Sequence, residues 1–126
     1  MTGREDLPRR VPKPWGEELV WALTAAYCGK RITIEPGRRL SLQLHLRKDE
    51  SILVLAGCLR LHLEDEEGAM HVTDLEPGES RRIAPGRRHR FEAVDSRVEL
   101  IEVSTTELDD VVRIEDDFGR EGTSAP

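Results

Sequence analysis

The sequence predicts an all-β fold, a sandwich or small barrel, on three observations. Apolar and polar residues alternate with a period of two over Leu40–Arg47 and again over Cys58–Glu64, which puts successive side chains on opposite faces of a strand. Pro-Gly pairs at Pro36, Pro77 and Pro85 each precede a strand-like run; proline presets the first turn angle and glycine accepts the positive φ that follows. Helical character is weak and confined to Thr106–Val112. Roughly eight or nine short strands at this turn spacing describe a two-layered or closed β-structure.

In chain order, residues 1–14 (MTGREDLPRRVPKP) are polar and proline-rich and are expected to form a mobile or partner-docked arm. A single domain is expected over 15–120, beginning at Trp15-Gly16, with a disordered tail over 121–126 (EGTSAP). Within it, strands are expected over Glu18–Leu23, inside Ala25–Glu35, along Leu40–Arg47, and over Ser51–Leu55 and Leu59–Leu63. The acidic tip Asp65-Glu66-Glu67-Gly68 reads as a hairpin turn, followed by strands in Ala69–Leu75, Arg82-Ile83, Arg88–Ala93 and Arg97–Ser104.

Composition narrows the function classes. A chain of 126 residues suits one core, and with only 4% aromatics that core must rest on Leu, Val and Ile. A net charge of −6 argues against a general nucleic-acid binder. Arg81, Arg82, Arg87, Arg88 and Arg90 do cluster; the blander reading is a solvated face, the sharper one a local anion site. Cys28 and Cys58 are too few for a disulfide framework or zinc knuckle and are expected to be free thiols, mostly buried. No charged-then-apolar signal segment opens the chain, and the longest apolar run, Ile52–Ala56, is far too short for a bilayer. The expectation is a soluble, cytoplasmic protein without membrane or nucleic-acid partners.

Four residues carry the chemistry. Gln43 and His45 stand at i and i+2 on one strand face, Glu50 opens the next strand, and His89 follows the third Pro-Gly turn. Imidazole, carboxylate and amide oxygen suit zinc, manganese, iron or nickel rather than copper(I), since no soft sulfur takes part. Alternation alone reads Gln43 and His45 as the wet face of a strand whose leucines form the core, Glu50 as a turn carboxylate and His89 as a surface histidine. His62 and His71 read as ordinary strand residues, and Trp15 and Trp21 as packing anchors. Glu102 and Lys30 are candidates for proton transfer, because strand placement allows them to point inward.

The register of the four candidates goes further. Gly37, five residues, Gln43-Leu44-His45, four residues, Glu50, six residues and Gly57 resemble the first cupin motif, with its first histidine changed to glutamine. Gly78, Gly86 and His89 fall in register with the second, while Ala84 and Ala93 replace its proline and asparagine. The resemblance implies a cupin-type jelly-roll β-barrel with a short helical or extended C-terminal tail. It also implies a divalent metal, most simply zinc, on Gln43, His45, Glu50 and His89.

A narrower resemblance runs through Lys13–Gly16, Leu40–His45, Arg88–Arg90, Ile101–Val103 and Asp109–Arg120, which look like the cupin domain of type II mannose-6-phosphate isomerases. In many of those enzymes that domain follows a guanylyltransferase domain; this chain is too short to include it and lacks its glycine-rich signature. A Gln/His/Glu/His zinc set is also what phosphomannose isomerases of the other type use. The resemblance implies that mannose 6-phosphate is converted to fructose 6-phosphate, with Arg113 and Arg120 folding over the barrel mouth to hold the phosphate. It departs at Arg47, Ser51 and Ile52, where the family usually carries further His and Trp residues. The alternatives are a non-catalytic sugar- or metabolite-binding cupin, or another metal-dependent cupin enzyme such as an iron dioxygenase. Cupins of this size are often homodimers, and the leucine face of residues 40–46 with the N-terminal arm is the expected interface.

Overall fold

The structure, a computed structural model, describes residues 6–122. It contains eleven strands: β1 (Arg9–Lys13), β2 (Gly16–Leu23), β3 (Cys28–Ile34), β4 (Leu42–Leu44), β5 (Glu50–Ala56), β6 (Leu59–Glu64), β7 (Met70–Leu75), β8 (Ser80–Ile83), β9 (His89–Ala93), β10 (Val98–Ser104) and β11 (Val112–Glu115). A six-stranded sheet, β1-β2-β3-β10-β5-β8, faces a five-stranded sheet, β11-β4-β9-β6-β7. The chain crosses repeatedly between the two antiparallel sheets, the wrapping of a jelly roll. The three Pro-Gly pairs do turn the chain: Gly37, Gly78 and Gly86 all have φ between 77° and 92°. Gly57 is required twice over, by a φ of 77° and because a Cβ there would lie 2.2 Å from the Arg97 carbonyl oxygen.

Three expectations change. Arg9–Lys13, assigned to the arm, forms β1 and pairs with β2 from Arg9↔Val20 to Lys13↔Gly16. Pro12 is tolerated there because an edge strand needs hydrogen bonds on one side only; the arm's first five residues lie outside the described ones. Thr106–Val112 contains no helix; Asp110 within it turns its carboxylate to the N–H groups of loop 46–48 and its carbonyl to His45, and the segment forms a strap leading into β11. The expected tail holds a turn at Glu121-Gly122, where the Gly122 N–H donates to the Arg113 carbonyl at 3.0 Å; residues 123–126 lie outside the described ones.

The face of β4 is also the reverse of the simplest reading. His45 and Ser41 are buried and Leu42 and Leu44 half-buried, while Leu46 is 67% exposed. The polar face therefore looks into the barrel, and of these leucines only Leu40 joins the core. That core comprises Trp15, Ile32, Ile34, Ile52, Val54, Leu59, Leu61, Leu75, Ile83, Phe91, Val98 and Leu100 with Leu40 and Ala93. Trp15 anchors it, and Trp21, about half exposed, lies flat over Gly29 outside. Cys28 is buried, Cys58 half-buried, and both are free thiols. No helix long and apolar enough to cross a membrane occurs among the described residues.

Candidate metal centre and its cavity

Four strands share one inward pattern. β3 turns Lys30, Ile32 and Ile34 inward; β5, Glu50, Ile52 and Val54; β9, His89, Phe91 and Ala93; and β10, Glu102, Leu100 and Val98, all buried. The register sets Glu102 beside Lys30, Leu100 beside Ile32 and Val98 beside Ile34. Every run thus carries its polar member at the same end of the barrel. In the facing sheet, Arg113 pairs with Gln43 and Gln43 with His89, so these three stand side by side at that end too.

His45, Glu50 and His89 meet there, with candidate ligand atoms all within 4.8 Å of one another. His45 Nε2 lies 3.0 Å, and His89 Nε2 3.4 Å, from Glu50 Oε1. The rings sit 5.0 Å apart. Each imidazole is oriented from behind: His45 Nδ1 is 2.7 Å from the Asp110 carbonyl and His89 Nδ1 is 2.9 Å from that of Arg87. A carbonyl only accepts, so both Nδ1 atoms carry a proton, and a ring without a second proton presents its Nε2 lone pair inward. Glu50 Oε1 and His89 Nε2 are buried without any hydrogen-bond partner. Two imidazole nitrogens and an unpartnered carboxylate oxygen turned toward one point are an arrangement a cation satisfies, and carbonyl-bound Nδ1 atoms are its usual support. Gln43 lines the same cavity; its Oε1 accepts from Ser41 Oγ at 2.6 Å, which leaves one lone pair of the amide oxygen.

Beside this group lies a buried charge network. Lys48 Nζ is 3.2 Å from Glu102 Oε2 and 4.0 Å from Glu50 Oε2, and Lys30 Nζ is 3.0 Å from Glu18 Oε1. The Lys48–Glu102 contact is an ion pair off the angle a hydrogen bond needs, since Glu102 Oε2 has no such partner. Burial, together with the charge of Glu50, pushes the Glu102 carboxyl up to about 8. Burial alone would raise Glu50 too, but the close approach of His45, His89 and Glu102 and the charge of Lys48 outweigh it and hold Glu50 well below the usual range. The two carboxyl groups are thus driven in opposite directions, as expected for like charges at close range. Burial works against the charge on Lys30 and on Lys48, but the neighbouring carboxylates keep both ammonium groups above their ordinary value.

The cavity above these groups measures about 40 Å³ and is walled by Lys13, Glu18, Lys30, Lys48, Arg113 and Arg120 among its polar residues. Leu108 and Val111 of the strap roof it; Trp15, Ile32, Leu40 and Phe91 floor it. At ~10–15 Å³ per water, it has room for about three waters. Arg120 is also held by Asp116, Nε to Oδ2 at 2.8 Å.

The mannose-6-phosphate isomerase C-terminal family matches residues 3–116. The chain belongs to this family. Mannose-1-phosphate guanylyltransferase ManC of Salmonella typhimurium is 39% identical over 89% of this chain but 23% of its own length. Xanthan biosynthesis protein XanB of Xanthomonas campestris pv. campestris is 35% identical over 89% of the chain and 24% of its own. The chain thus spans about a quarter of the length of these curated relatives. Among solved structures, oxalate decarboxylase from Bacillus subtilis superposes with a TM-score of 0.77 at 15% identity, over 86% of this chain and 30% of that one. KdgF from Halomonas sp. superposes at 0.71 and 19% identity, over 83% and 94%. These likenesses establish the cupin fold.

Against the rest of this family the departures at Arg47, Ser51 and Ile52 now have places. Arg47 is exposed, Ser51 half-buried and Ile52 buried in the apolar core, and none of them lines the cavity. Every candidate site residue named from the sequence does line it, except His89, which reaches the group through β9. Three wall residues escaped sequence reasoning. Lys48 sits in a loop without periodicity, Lys13 was hidden in the arm, and Glu18 is one more charge on an edge-side strand. The arginine cluster, by contrast, does not assemble. Arg82 pairs with Asp49, Arg88 with Glu64, and Arg90 donates to the Leu40 and Glu115 carbonyls. His62 and His71 pair with Glu92 and Asp65 away from the cavity.

Proposed function

We propose that this chain is a metal-dependent aldose–ketose isomerase domain for a phosphorylated sugar, of the mannose 6-phosphate to fructose 6-phosphate type, working in the cytoplasm. The observation that carries the reading is the meeting of His45, Glu50 and His89 beside a small cavity that the buried Glu102 carboxyl also lines. Gln43, His45, Glu50 and His89 would hold a divalent ion, most simply zinc, with manganese, iron or nickel as alternatives. When bound, such an ion supplies a Lewis acid for the sugar oxygens.

The chain's own residues do the rest. Isomerisation moves the C2 hydrogen to C1 as a proton, and the C2 hydroxyl proton to the C1 carbonyl oxygen, so no co-reactant is needed. Glu102 takes the proton from C2 and returns it to C1; its basicity near neutral pH suits a group that must do both. Lys30, beside Glu102 in the ladder, handles the oxygen-bound proton. Arg113 and Arg120, joined by Lys13 at the same wall, receive the phosphate, for which guanidinium forks are suited. A hexose phosphate exceeds the interior of about 40 Å³, so its reacting end enters beside Leu108 and Val111 while the phosphate stays at the basic wall. A second copy is the expected partner, through Leu42, Leu44 and Leu46 beside the exposed Val112 and Ile114 of β11; light scattering that returns a monomer removes that element.

The deciding experiment is a coupled assay of purified, metal-loaded protein with mannose 6-phosphate. Turnover that disappears with a chelator and returns with zinc supports the proposal. The small cavity favours a second reading, a binding cupin without turnover. For that reading the assay stays silent while the sugar phosphate raises the melting temperature.

A further inference from the structure

The loop between His45 and Glu50 comprises Leu46 to Asp49, and the strap after β10 holds all four of its backbone N–H groups. Those of Leu46, Arg47 and Lys48 donate to the Asp110 carboxylate at 3.0, 2.6 and 3.0 Å. That of Asp49 donates to Thr105 Oγ1 at 3.1 Å, and the Thr105 N–H returns a bond to the Asp49 carbonyl at 3.0 Å. Successive N–H groups turned toward one point form an anion nest, and a carboxylate that accepts several of them is held in its charged form. The same residue offers its main-chain carbonyl to His45 Nδ1 at 2.7 Å. Asp110 therefore clamps the backbone between two candidate ligands with its side chain while its carbonyl fixes the tautomer and tilt of one of them.

From this geometry we infer that Asp110 is the positioning residue of the metal centre, acting through His45 and the ligand loop rather than on metal or substrate. The inference rests on the reading of His45, Glu50 and His89 as ligands. It has a mechanical consequence: Leu108 and Val111, which line the cavity, flank the clamp, so the strap that lines the site also holds the ligand loop in place. Lys48, whose ammonium reaches Glu102, is set by the same three N–H bonds.

The test compares wild type with Asp110→Ala, Asp110→Asn and, as a control on the same strap, the exposed Asp109→Ala. Two readouts are taken: cobalt(II) titration followed by its visible spectrum, with zinc by chelator competition, and imidazole ¹⁵N shifts of the metal-free protein. Wild type and Asp109→Ala are expected to bind alike and to show His45 protonated at Nδ1. Asp110→Ala is expected to bind metal roughly 10–100-fold more weakly, the usual cost of removing outer support from a ligand, and to lose the Nδ1 preference. Asp110→Asn, which keeps one side-chain acceptor, should fall between and carries the comparison if the alanine variant does not fold. Equal affinity and unchanged shifts in both Asp110 variants overturn the inference. Wild type that binds no metal, with a tautomer that still depends on Asp110, overturns the metal reading and leaves the positioning role standing.

Discussion

The two ends of this barrel are built from the same strands and the same face, yet they obey opposite rules. Along β10 the inward residues run Val98, Leu100, Glu102; along β3, Ile34, Ile32, Lys30; along β5, Val54, Ile52, Glu50. One end is closed by aliphatic side chains whose burial stabilises the fold by about 1.5–3 kcal/mol each. The other buries Lys30, Lys48, Glu50, Glu102, His45 and His89 at between 2% and 6% exposure. Burying charge is costly even when it is paired, and an apolar replacement often does as well or better for stability. A domain that needed only a core would have continued the aliphatic rows. The contrast separates an aliphatic end that stabilises the fold from a polar end that holds the candidate site, with Trp15, Ile32, Leu40 and Phe91 as the layer shared by both.

The comparison is broken most severely by removing a ligand. Glu50→Gln takes away the anionic member of the site, and metal affinity measured by chelator competition should fall by more than about 100-fold, beyond the effect of an outer-sphere change. Turnover should go with it. Next comes a pair two residues apart on β10. Glu102→Gln mimics the protonated acid; it should lower kcat by roughly 10²–10⁴-fold while urea unfolding stays close to wild type. Leu100→Ala should do the converse, costing about 2–5 kcal/mol in the same urea experiment with a far smaller change in kcat per folded molecule. A Glu102 variant that unfolds and a Leu100 variant that is dead but stable would together abolish the division.

A smaller effect is expected at the wall. Lys13→Ala should raise KM for a sugar phosphate about 10–100-fold, the loss of one charged hydrogen bond of ~1.5–3 kcal/mol, and leave kcat nearly unchanged; a kcat effect of similar size would move Lys13 into the chemistry. The smallest concerns the turn after β11, where Asp116 holds Arg120. Burial alone would raise Asp116, but hydrogen bonds from the Arg120 side chain and backbone outweigh it and hold the carboxyl below its ordinary 3.8. A depressed carboxylate contributes stability that is present above its unfolded value and is lost as pH falls through the folded one. Thermal unfolding should therefore lose this contribution only below about pH 4, and Asp116→Asn should flatten that part of the profile. A loss appearing near neutral pH would show that another group governs this turn.

Much of the architecture was legible in the chain. The alternation over residues 40–47 and 58–64, the positive-φ glycines after Pro36, Pro77 and Pro85, and the register of Gln43, His45, Glu50 and His89 are local properties, fixed by the pleat and by turn sterics. β1 was missed because an edge strand needs no apolar pattern, and the helical reading of 106–112 failed where Asp110 bonds across space to loop 46–48 and to His45. Lys13, Lys48 and Asp110 bear on the site from positions 32 and more residues away from some of the groups they serve, with no period to announce them.

The sequence by itself determined that this is a β-protein with cupin spacing and four residues of metal-binding type in register. Only the tertiary structure decided which face of each strand looks inward. A period of two makes the two faces of a strand equivalent until a second sheet covers one of them. When that happens on β4, Gln43 and His45 go inside and Leu46 is left in water. The candidate metal centre thus comes together because two sheets close over the polar face of a strand whose leucines, read alone, were the better candidates for the core.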